Sequence, residues 1–386
     1  MKKRIISLLI VVSLLAALSG CSSMFKKEYL SVSEYKDDQQ NLLSSNTTQI
    51  SNFIELKAAI IAMVSGHKAE GRLRFTAYDG TIQDDLSRAL LEAKSENALA
   101  SFAVDYMSYD LSPIVTYYEA VVYITYKKTQ SEIDDIRYIT GKAELADAIE
   151  PVLEEMSSYV ALRLTSATVT EEDVISAVNF AYTQNPVSCV VPPSVTVTIH
   201  PESGLQRIIE LDFEYGWKSS ELEKMRAALN TKIQEIVRSA SNVKDAEYAY
   251  NLYQQLALSC TYDPTGAVRS GAELDSGLGS SAYGALLEYC ADSRGFAAAY
   301  SALCRAAGIE CLVVDGTMDN EAHSWNIIRI EGNYFHVDAT AYYSLGAENS
   351  FMRSDEQFKD SYIWDAKKYP ACAIGEPDSG IISNTF

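Results

Sequence analysis

Three side chains in the last third of the chain have the types and the order needed for acid–base chemistry: Ser293, His323 and Asp338. His323 begins a predicted strand, a turn follows at 331–333, and the returning strand carries Asp338. Counting outward from that turn places Asp338 opposite Asn326 and within a few residues of His323. A carboxylate beside a histidine holds the imidazole in one tautomer, as general-base catalysis requires.

Ser293 is the third member because of its place before a predicted helix. The helix covers about Arg294–Ala307 and ends at Gly308, a residue typical of helix C-caps. A buried strand follows over 309–314. The sequence therefore places a hydroxyl at a helix N-terminus, with the histidine and the aspartate on later strands.

The order of these motifs resembles the transglutaminase-like superfamily, which has a papain-type fold. AHSWN resembles the family's histidine motif and YFHVDAT its aspartate motif. SAYGALL and a Cys-Thr-Tyr-Asp element upstream, with FMRSDEQF and YPAC downstream, extend the resemblance over roughly 219–375. The resemblance implies catalytic roles for His323 and Asp338, and a cleft wall at Trp325. It also implies that Tyr283 helps to bind a developing oxyanion.

One position departs from the family pattern. The family's nucleophile motif reads Cys-x-Gly-Tyr-Ala, and this chain has serine, followed by Arg-Gly-Phe-Ala, at 293–297. A papain-type site depends on a thiolate whose pKa is lowered to about 3–4 by its histidine and helix terminus. A serine hydroxyl cannot form that resting ion pair, so catalysis by this domain is in question.

Three interpretations of this position remain open. In the first, Asp292 and Ser293 cap the helix of a degenerate, non-catalytic domain that binds a peptide or protein. In the second, Ser293, His323 and Asp338 form the triad of a peptidase or an amide acyl-transferase. In the third, Cys290 is the nucleophile, which requires the helix to begin one turn earlier.

The composition limits the partners. The formal net charge of −20, without basic tracts, excludes nucleic acid as a probable ligand class. Neither a cluster of metal ligands nor a phosphate-binding loop is found, so no metal and no organic cofactor are expected. The resemblance leaves a peptide or a protein, including cell-wall peptide, as the expected ligand.

The N-terminus predicts export and anchoring. Residues 1–20 have a basic start and an apolar run, which is typical of a signal peptide. Leu18-Ser19-Gly20-Cys21 resembles a complete bacterial lipobox, which implies cleavage before Cys21 and lipidation of its thiol. We therefore expect an extracytoplasmic protein held to membrane lipid through Cys21, with a polar tether over 21–50.

Two similar segments lie between the tether and the last domain. Shifted by 89 positions, the sequence matches itself without a gap: Leu73–Thr76 falls on Leu162–Thr165, and Tyr126 falls on Tyr215. Such self-similarity indicates duplication of one unit. The predicted fold class is α+β, with two tandem duplicated small α+β modules followed by a papain-like transglutaminase-type domain. The predicted bounds are 51–128, 140–217 and 219–386.

Overall fold

The computed structural model describes residues 47–165, 169–204, 206–240, 245–265, 268–270, 273–275 and 277–372. The predicted signal peptide, Cys21 and most of the predicted tether lie outside these ranges. Among the helices described, none combines the length and the apolar composition that crossing a bilayer requires. The residues from Thr48 onward form one compact unit.

The first module is a four-stranded sheet covered by helices. Its elements are β1 (Thr47–Ile50), α1 (Phe53–Ser65), β2 (Glu70–Phe75), α2 (Ile82–Glu96), α3 (Ala98–Ala103), β3 (Val104–Ile114) and β4 (Tyr117–Tyr126). The strand order is β1-β2-β4-β3. The assignment of 47–50 to the tether is wrong, because Ile50 is buried in the core of this module although three polar residues precede it.

The second module repeats this arrangement. After α4 (Gln130–Asp134) come β5 (Arg137–Ile139), α5 (Leu145–Glu154), β6 (Tyr159–Leu164), α6 (Glu171–Gln184), β7 (Ser194–His200) and β8 (Arg207–Glu214). The strand order is β5-β6-β8-β7. Glu70 pairs with Tyr123 in the first sheet and Tyr159 with Asp212 in the second, so the register agrees at the 89-residue offset. Duplication itself stays a prediction.

A buried ionic cluster lies where the two modules meet. Glu210 of β8 is 8% exposed, and its carboxylate accepts hydrogen bonds from Tyr159 at 3.0 Å and from His200 at 2.6 Å. Lys128 Nζ lies 2.5 Å from the same carboxylate and over the ring of Phe102. Burial by itself raises the pKa of Glu210, but its His200, Lys128 and Tyr159 partners outweigh burial and lower it to about 2.

The last domain is built around a four-stranded antiparallel sheet of its own. Its helices are α7 (Ser219–Ala240), α8 (Asp245–Ser259), α9 (Ser293–Ala306), α10 (Tyr342–Leu345), α11 (Ala347–Ser350) and α12 (Asp355–Phe358). Its strands are β9 (Thr261–Tyr262), β10 (Val268–Ser270), β11 (Glu273–Asp275), β12 (Cys290–Ala291), β13 (Cys311–Met318), β14 (Glu321–Ile330), β15 (Asn333–Val337) and β16 (Tyr362–Ile363). The main sheet has the antiparallel order β15-β14-β13-β16. Helix α9 packs against β13 and β14, and most of its residues are buried, as in a core helix.

The second module is attached directly to this domain. The Gln184 side chain, at the end of α6, donates to Val313 O at 2.8 Å and accepts from Val313 N at 3.2 Å. This amide satisfies backbone groups of β13 as a neighbouring strand would. Arg226 of α7 donates to the carbonyl oxygens of Glu154 and Ser188 in the second module. The second module and the last domain are therefore packed directly against each other.

We expect Glu210→Gln to lower the free energy of unfolding by about 2–4 kcal/mol, because it removes the charge that Lys128 and His200 face in a buried setting. Urea denaturation monitored by circular dichroism measures this loss. Glu214→Gln, at an exposed position on the same strand, is the matched control and should change stability by less than about 0.5 kcal/mol. Equal effects of the two variants would show that the ionic cluster does not hold the modules together.

Candidate functional site

Ser293 is the first residue of α9, and Asp292 is its N-cap. Asp292 Oδ1 accepts the Gly295 N–H at 2.9 Å, so the aspartate alone provides the side-chain cap. Ser293 is 8% exposed, and its Oγ accepts the backbone N–H of Ser324 at 3.2 Å. Within the described ranges, no hydrogen bond joins Ser293 Oγ to His323.

The close packing beneath Ser293 depends on glycine. A Cβ at Gly295 would lie 2.3 Å from the carbonyl oxygen of Gly279 and 2.8 Å from the Cβ of Ala291. Real Cβ atoms do not approach backbone this closely, so a larger residue would push α9 away from the loop before it. The glycine two residues after Ser293 therefore fixes where the hydroxyl lies.

His323 and Asp338 form a buried pair. His323 Nε2 lies 2.8 Å from Asp338 Oδ2, and the two residues are 9% and 1% exposed. Because an ionised carboxylate only accepts hydrogen bonds, Nε2 carries the proton of the neutral ring. Nδ1 is then the nitrogen with the free lone pair, as a general base requires. The sequence-derived pairing of Asp338 with Asn326 is off by one, since Asn326 pairs with Val337.

Further donors hold the Asp338 carboxylate. Tyr362 of β16 donates to Oδ2 at 2.8 Å, and Thr340 donates to Oδ1 from its backbone N–H at 2.9 Å and its hydroxyl at 2.5 Å. Burial by itself raises the pKa of Asp338, but the partners His323, Thr340 and Tyr362 outweigh it and keep the pKa below its usual value. The carboxylate is therefore fixed as an anion.

Sequence reasoning missed Thr340 and Tyr362. Thr340 ends the quoted YFHVDAT motif, two residues after Asp338, so the motif contained the signal. Tyr362 lies in a strand 24 residues after Asp338 and belongs to none of the motifs. Only the fold brings its hydroxyl to the carboxylate.

Trp325 lies beside the imidazole and is buried, at 1% exposed. Its ring stacks against that of His323 with centroids 6.3 Å apart. Its Nε1 donates to His336 Nδ1 at 2.9 Å, and His336 Nε2 donates to Asp355 at 2.9 Å. Trp325 thus packs inside the domain and supports His323 from the core side, and its role as a cleft wall stays a prediction.

Within the part of the chain that the structure describes, one group of side chains has metal-ligand types: His336, Asp355 and Cys372, whose ligand atoms lie within 4.8 Å of one another. A metal on His336 Nε2 would leave the proton of the neutral ring on Nδ1. That N–H would point at the donating N–H of Trp325. The donor set therefore does not fit a metal, and we interpret the group as a hydrogen-bonded chain that ends at Asp355, whose other oxygen accepts the Cys372 N–H at 3.1 Å.

Cys290 and Tyr283 do not join the triad residues. Cys290 lies in β12, before the Asp292 cap, so the extra helical turn that would make it a nucleophile is not formed. Both side chains pack against a small apolar cluster that contains Leu222 and Leu278. Burial raises the pKa of the Cys290 thiol, which is opposite to the activation of a nucleophilic cysteine.

The comparisons with known proteins agree with the motif assignment. Residues 230–339 match the family model described as Transglutaminase-like superfamily. This segment of the chain is a transglutaminase-like domain. The matched residues contain Ser293, His323 and Asp338, and no curated protein matches the chain.

Several solved structures are similar to the chain at low identity. One is a TGase, 13% identical, with 56% of this chain and 60% of that chain covered and a TM-score of 0.27. A second is a candidate cysteine protease from Cytophaga hutchinsonii, 14% identical, with coverages of 48% and 72% and a TM-score of 0.25. A third is a candidate protease from Parabacteroides distasonis, 8% identical, with coverages of 72% and 64% and a TM-score of 0.19. The chain thus spans less than two thirds of the length of the first.

The buried His336 predicts a pH dependence. Burial lowers its pKa below the ordinary value of about 6.5, although Asp355 acts against this. As the pH falls below about 6.5, His336 becomes protonated in the unfolded state while it stays neutral in the folded state. The free energy of unfolding therefore decreases as the pH falls, until the pH reaches the folded-state pKa of His336. The slope is at most about 1.4 kcal/mol per pH unit.

His336→Gln is the variant that measures this contribution, because an amide can accept from Trp325 and donate to Asp355 without titrating. Urea denaturation of both proteins between pH 7 and pH 5 should show the parent losing more stability than the variant as the pH falls. If the difference in the free energy of unfolding between the two proteins stays constant over this range, the pKa of His336 is not lowered in the folded protein.

Proposed function

We propose that the chain is a membrane-anchored extracytoplasmic lipoprotein whose transglutaminase-like domain is a non-catalytic module that binds a peptide or protein at the cell surface. The bond from the Ser324 N–H to Ser293 Oγ carries this proposal. The hydroxyl occupies the nucleophile position at the start of α9, yet it bonds to backbone rather than to His323. A hydroxyl needs the base to remove its proton during attack, and no hydrogen bond among the described residues joins Ser293 Oγ to His323, so the resting hydroxyl is unactivated.

The fold without the nucleophile still suits binding. Ser293 and His323 are almost buried, and the polar groups around them are largely satisfied within the domain. The ligand class, a peptide or a protein, is inferred by analogy with other transglutaminase-like domains. Cell-wall peptide is the first candidate because the protein is proposed to lie outside the cytoplasm.

A second candidate function is a peptidase or amide acyl-transferase with the triad Ser293, His323 and Asp338. The observation in its favour is the support of Asp338 by Tyr362 and Thr340. Such support keeps the imidazole in the tautomer that a general base needs. In that mechanism His323 Nδ1 takes the proton of Ser293 Oγ as the hydroxyl attacks an amide carbonyl, and the amine leaves with a proton returned by the imidazolium.

Fluorophosphonate labelling separates the two functions. We expect the purified parent protein to remain unlabelled and to leave casein and cell-wall peptides intact, because its hydroxyl is unactivated. We expect Ser293→Cys to react with iodoacetamide at pH 6 roughly tenfold faster than an ordinary thiol, whose pKa is about 8.5, because His323 stabilises the thiolate.

Two controls make this result specific. His323→Ala in the Ser293→Cys protein should return the rate to that of an ordinary thiol, and Cys290→Ala accounts for the partly exposed native thiol. Labelling of the parent that is lost in Ser293→Ala would establish the hydrolase instead. A restored thiol of ordinary reactivity would show that the three residues do not form a functional triad.

The anchor is tested separately through Cys21. We expect the exported protein to fractionate with membranes and Cys21→Ala to be released into the soluble fraction, since the lipid on the thiol is its attachment. Ser22→Ala, at the neighbouring position, should stay with the membranes. Mass spectrometry that finds no lipid on Cys21 would contradict the anchoring.

A further inference from the structure

The start of α9 packs on a loop, residues 277–281, which we call the support loop. Asp292 N donates to Gly279 O at 3.1 Å, and a Cβ on Gly295 would lie 2.3 Å from that same carbonyl oxygen. Because the loop and the helix touch with no room for a side chain between them, a displacement of the loop displaces the first turn of α9. The placement of the support loop therefore decides where Ser293 lies.

The support loop also packs on the second module. Leu278 is 1% exposed and belongs to one apolar cluster with Val191, which is 3% exposed and follows α6 in the second module. Tyr215, at the end of the second module, packs against the same cluster. Apolar side chains that are removed from water on both sides of a contact hold the two surfaces together. The second module thus helps to hold the support loop in place under α9.

A second contact reaches the sheet beside α9. Gln184, the last residue of α6, donates to Val313 O at 2.8 Å and accepts from Val313 N at 3.2 Å. Among the described strands, β16 pairs with β13 only at the last two residues of β13, so the amide takes the place of a neighbouring strand at Val313. Val313 pairs with Asn326, whose Nδ2 donates to Ala297 O of α9 at 2.9 Å. The end of α6 is therefore bonded to the sheet on which the helix of the site packs.

The contact between the second module and the last domain is geometrically specific. The Gln184 amide bonds to both backbone groups of one residue, so a shift of the module along β13 by a single residue would break both bonds. Arg226 of α7 donates to two carbonyl oxygens of the second module, at 2.7 Å and 3.0 Å. Domains that merely follow one another along a chain do not need such a fixed register.

We propose that the second module positions the site of the transglutaminase-like domain, with Gln184 as the positioning residue. The inference rests on the proposed function, because it takes the groups around Ser293 and His323 as the functional site. It adds that this arrangement depends on the docking of α6 on β13 and on the support loop. The functional unit of the chain is then the second module and the last domain together.

Two variants in the full-length Ser293→Cys protein test the role of Gln184. Gln184→Met keeps a side chain of similar size that neither donates to Val313 O nor accepts from Val313 N. Asn185→Met is the matched control, because it removes the next amide along the chain, whose partner Glu150 lies inside the second module. The rate of iodoacetamide alkylation at position 293 is measured between about pH 5 and pH 9. Fragmentation of the tryptic peptide that ends at Arg294 separates position 293 from the native thiol in that peptide.

We expect Gln184→Met to lower the alkylation rate at pH 6 roughly tenfold and to move the pH profile about one pH unit higher, because a small displacement of α9 from His323 weakens the stabilisation of the thiolate. Asn185→Met should leave the profile unchanged. A contact that served stability alone would lower the free energy of unfolding in urea without changing the pH profile of the folded protein. That result would overturn the proposal.

Val191→Ala provides an independent variant, which also keeps the test decisive if Gln184→Met does not fold. It shortens the apolar contact with the support loop and leaves the Gln184 bonds in place. We expect it to move the pH profile in the same direction as Gln184→Met. A profile that stays with that of the Ser293→Cys protein would show that the support loop does not depend on the second module.

Hydrogen exchange separates this inference from the proposed function. If the thiol at position 293 has ordinary reactivity with Gln184 in place, the triad of the proposed function fails, and positioning is measured in protein that keeps Ser293. There, Gln184→Met should speed amide exchange in 293–297 and 323–326 roughly fivefold over Asn185→Met, while β6 keeps its protection. Equal exchange in the two variants would refute the positioning role. A reactive thiol whose pH profile is the same in both variants would refute it as well and leave the proposed function in place.

Discussion

The anion at Asp338 is the constraint around which the last domain is organised. A carboxylate that is 1% exposed is costly unless each of its oxygens has donors. Those donors come from separate parts of the chain: His323 from β14, Thr340 from the loop after β15 and Tyr362 from β16. Satisfying one charge therefore fixes the hairpin, its following loop and the edge strand in one arrangement.

This network does not depend on the residue at the nucleophile position. Ser293 contacts backbone at Ser324, and none of the Asp338 partners bonds to its hydroxyl. A serine in place of cysteine at position 293 would therefore leave the hydrogen bonds of the buried His323–Asp338 pair, and the fold, intact. Conversely, an intact pair is weak support for catalysis, because the same contacts serve the stability of the sheet.

The sequence predicted the parts of this site that depend on local motifs. It did not predict those that depend on the geometry of a turn or on contacts between residues far apart in the chain. Ser293, His323 and Asp338 follow from motifs and helix ends. The predicted pairing of Asp338 is off by one because the hairpin turn has two residues rather than the predicted three. Glu331 and Gly332, with φ of 50° and 86°, make a two-residue turn between Ile330 and Asn333. Tyr362 could not be found from local pattern, since its strand is only two residues long.

The same distinction holds for the two modules. Their inner strand faces agree at the 89-residue offset, with Val122 and Leu211 each buried in its own core. The outer faces differ: Glu210 lies in the ionic contact between the modules, and Val121, 89 positions earlier, is half-buried and pairs with Arg72 and Asp110 of its own sheet. A core pattern is dictated by the module itself and can be read from a repeat. A surface is dictated by what packs against it, so two modules of the same strand order differ most where their neighbours differ.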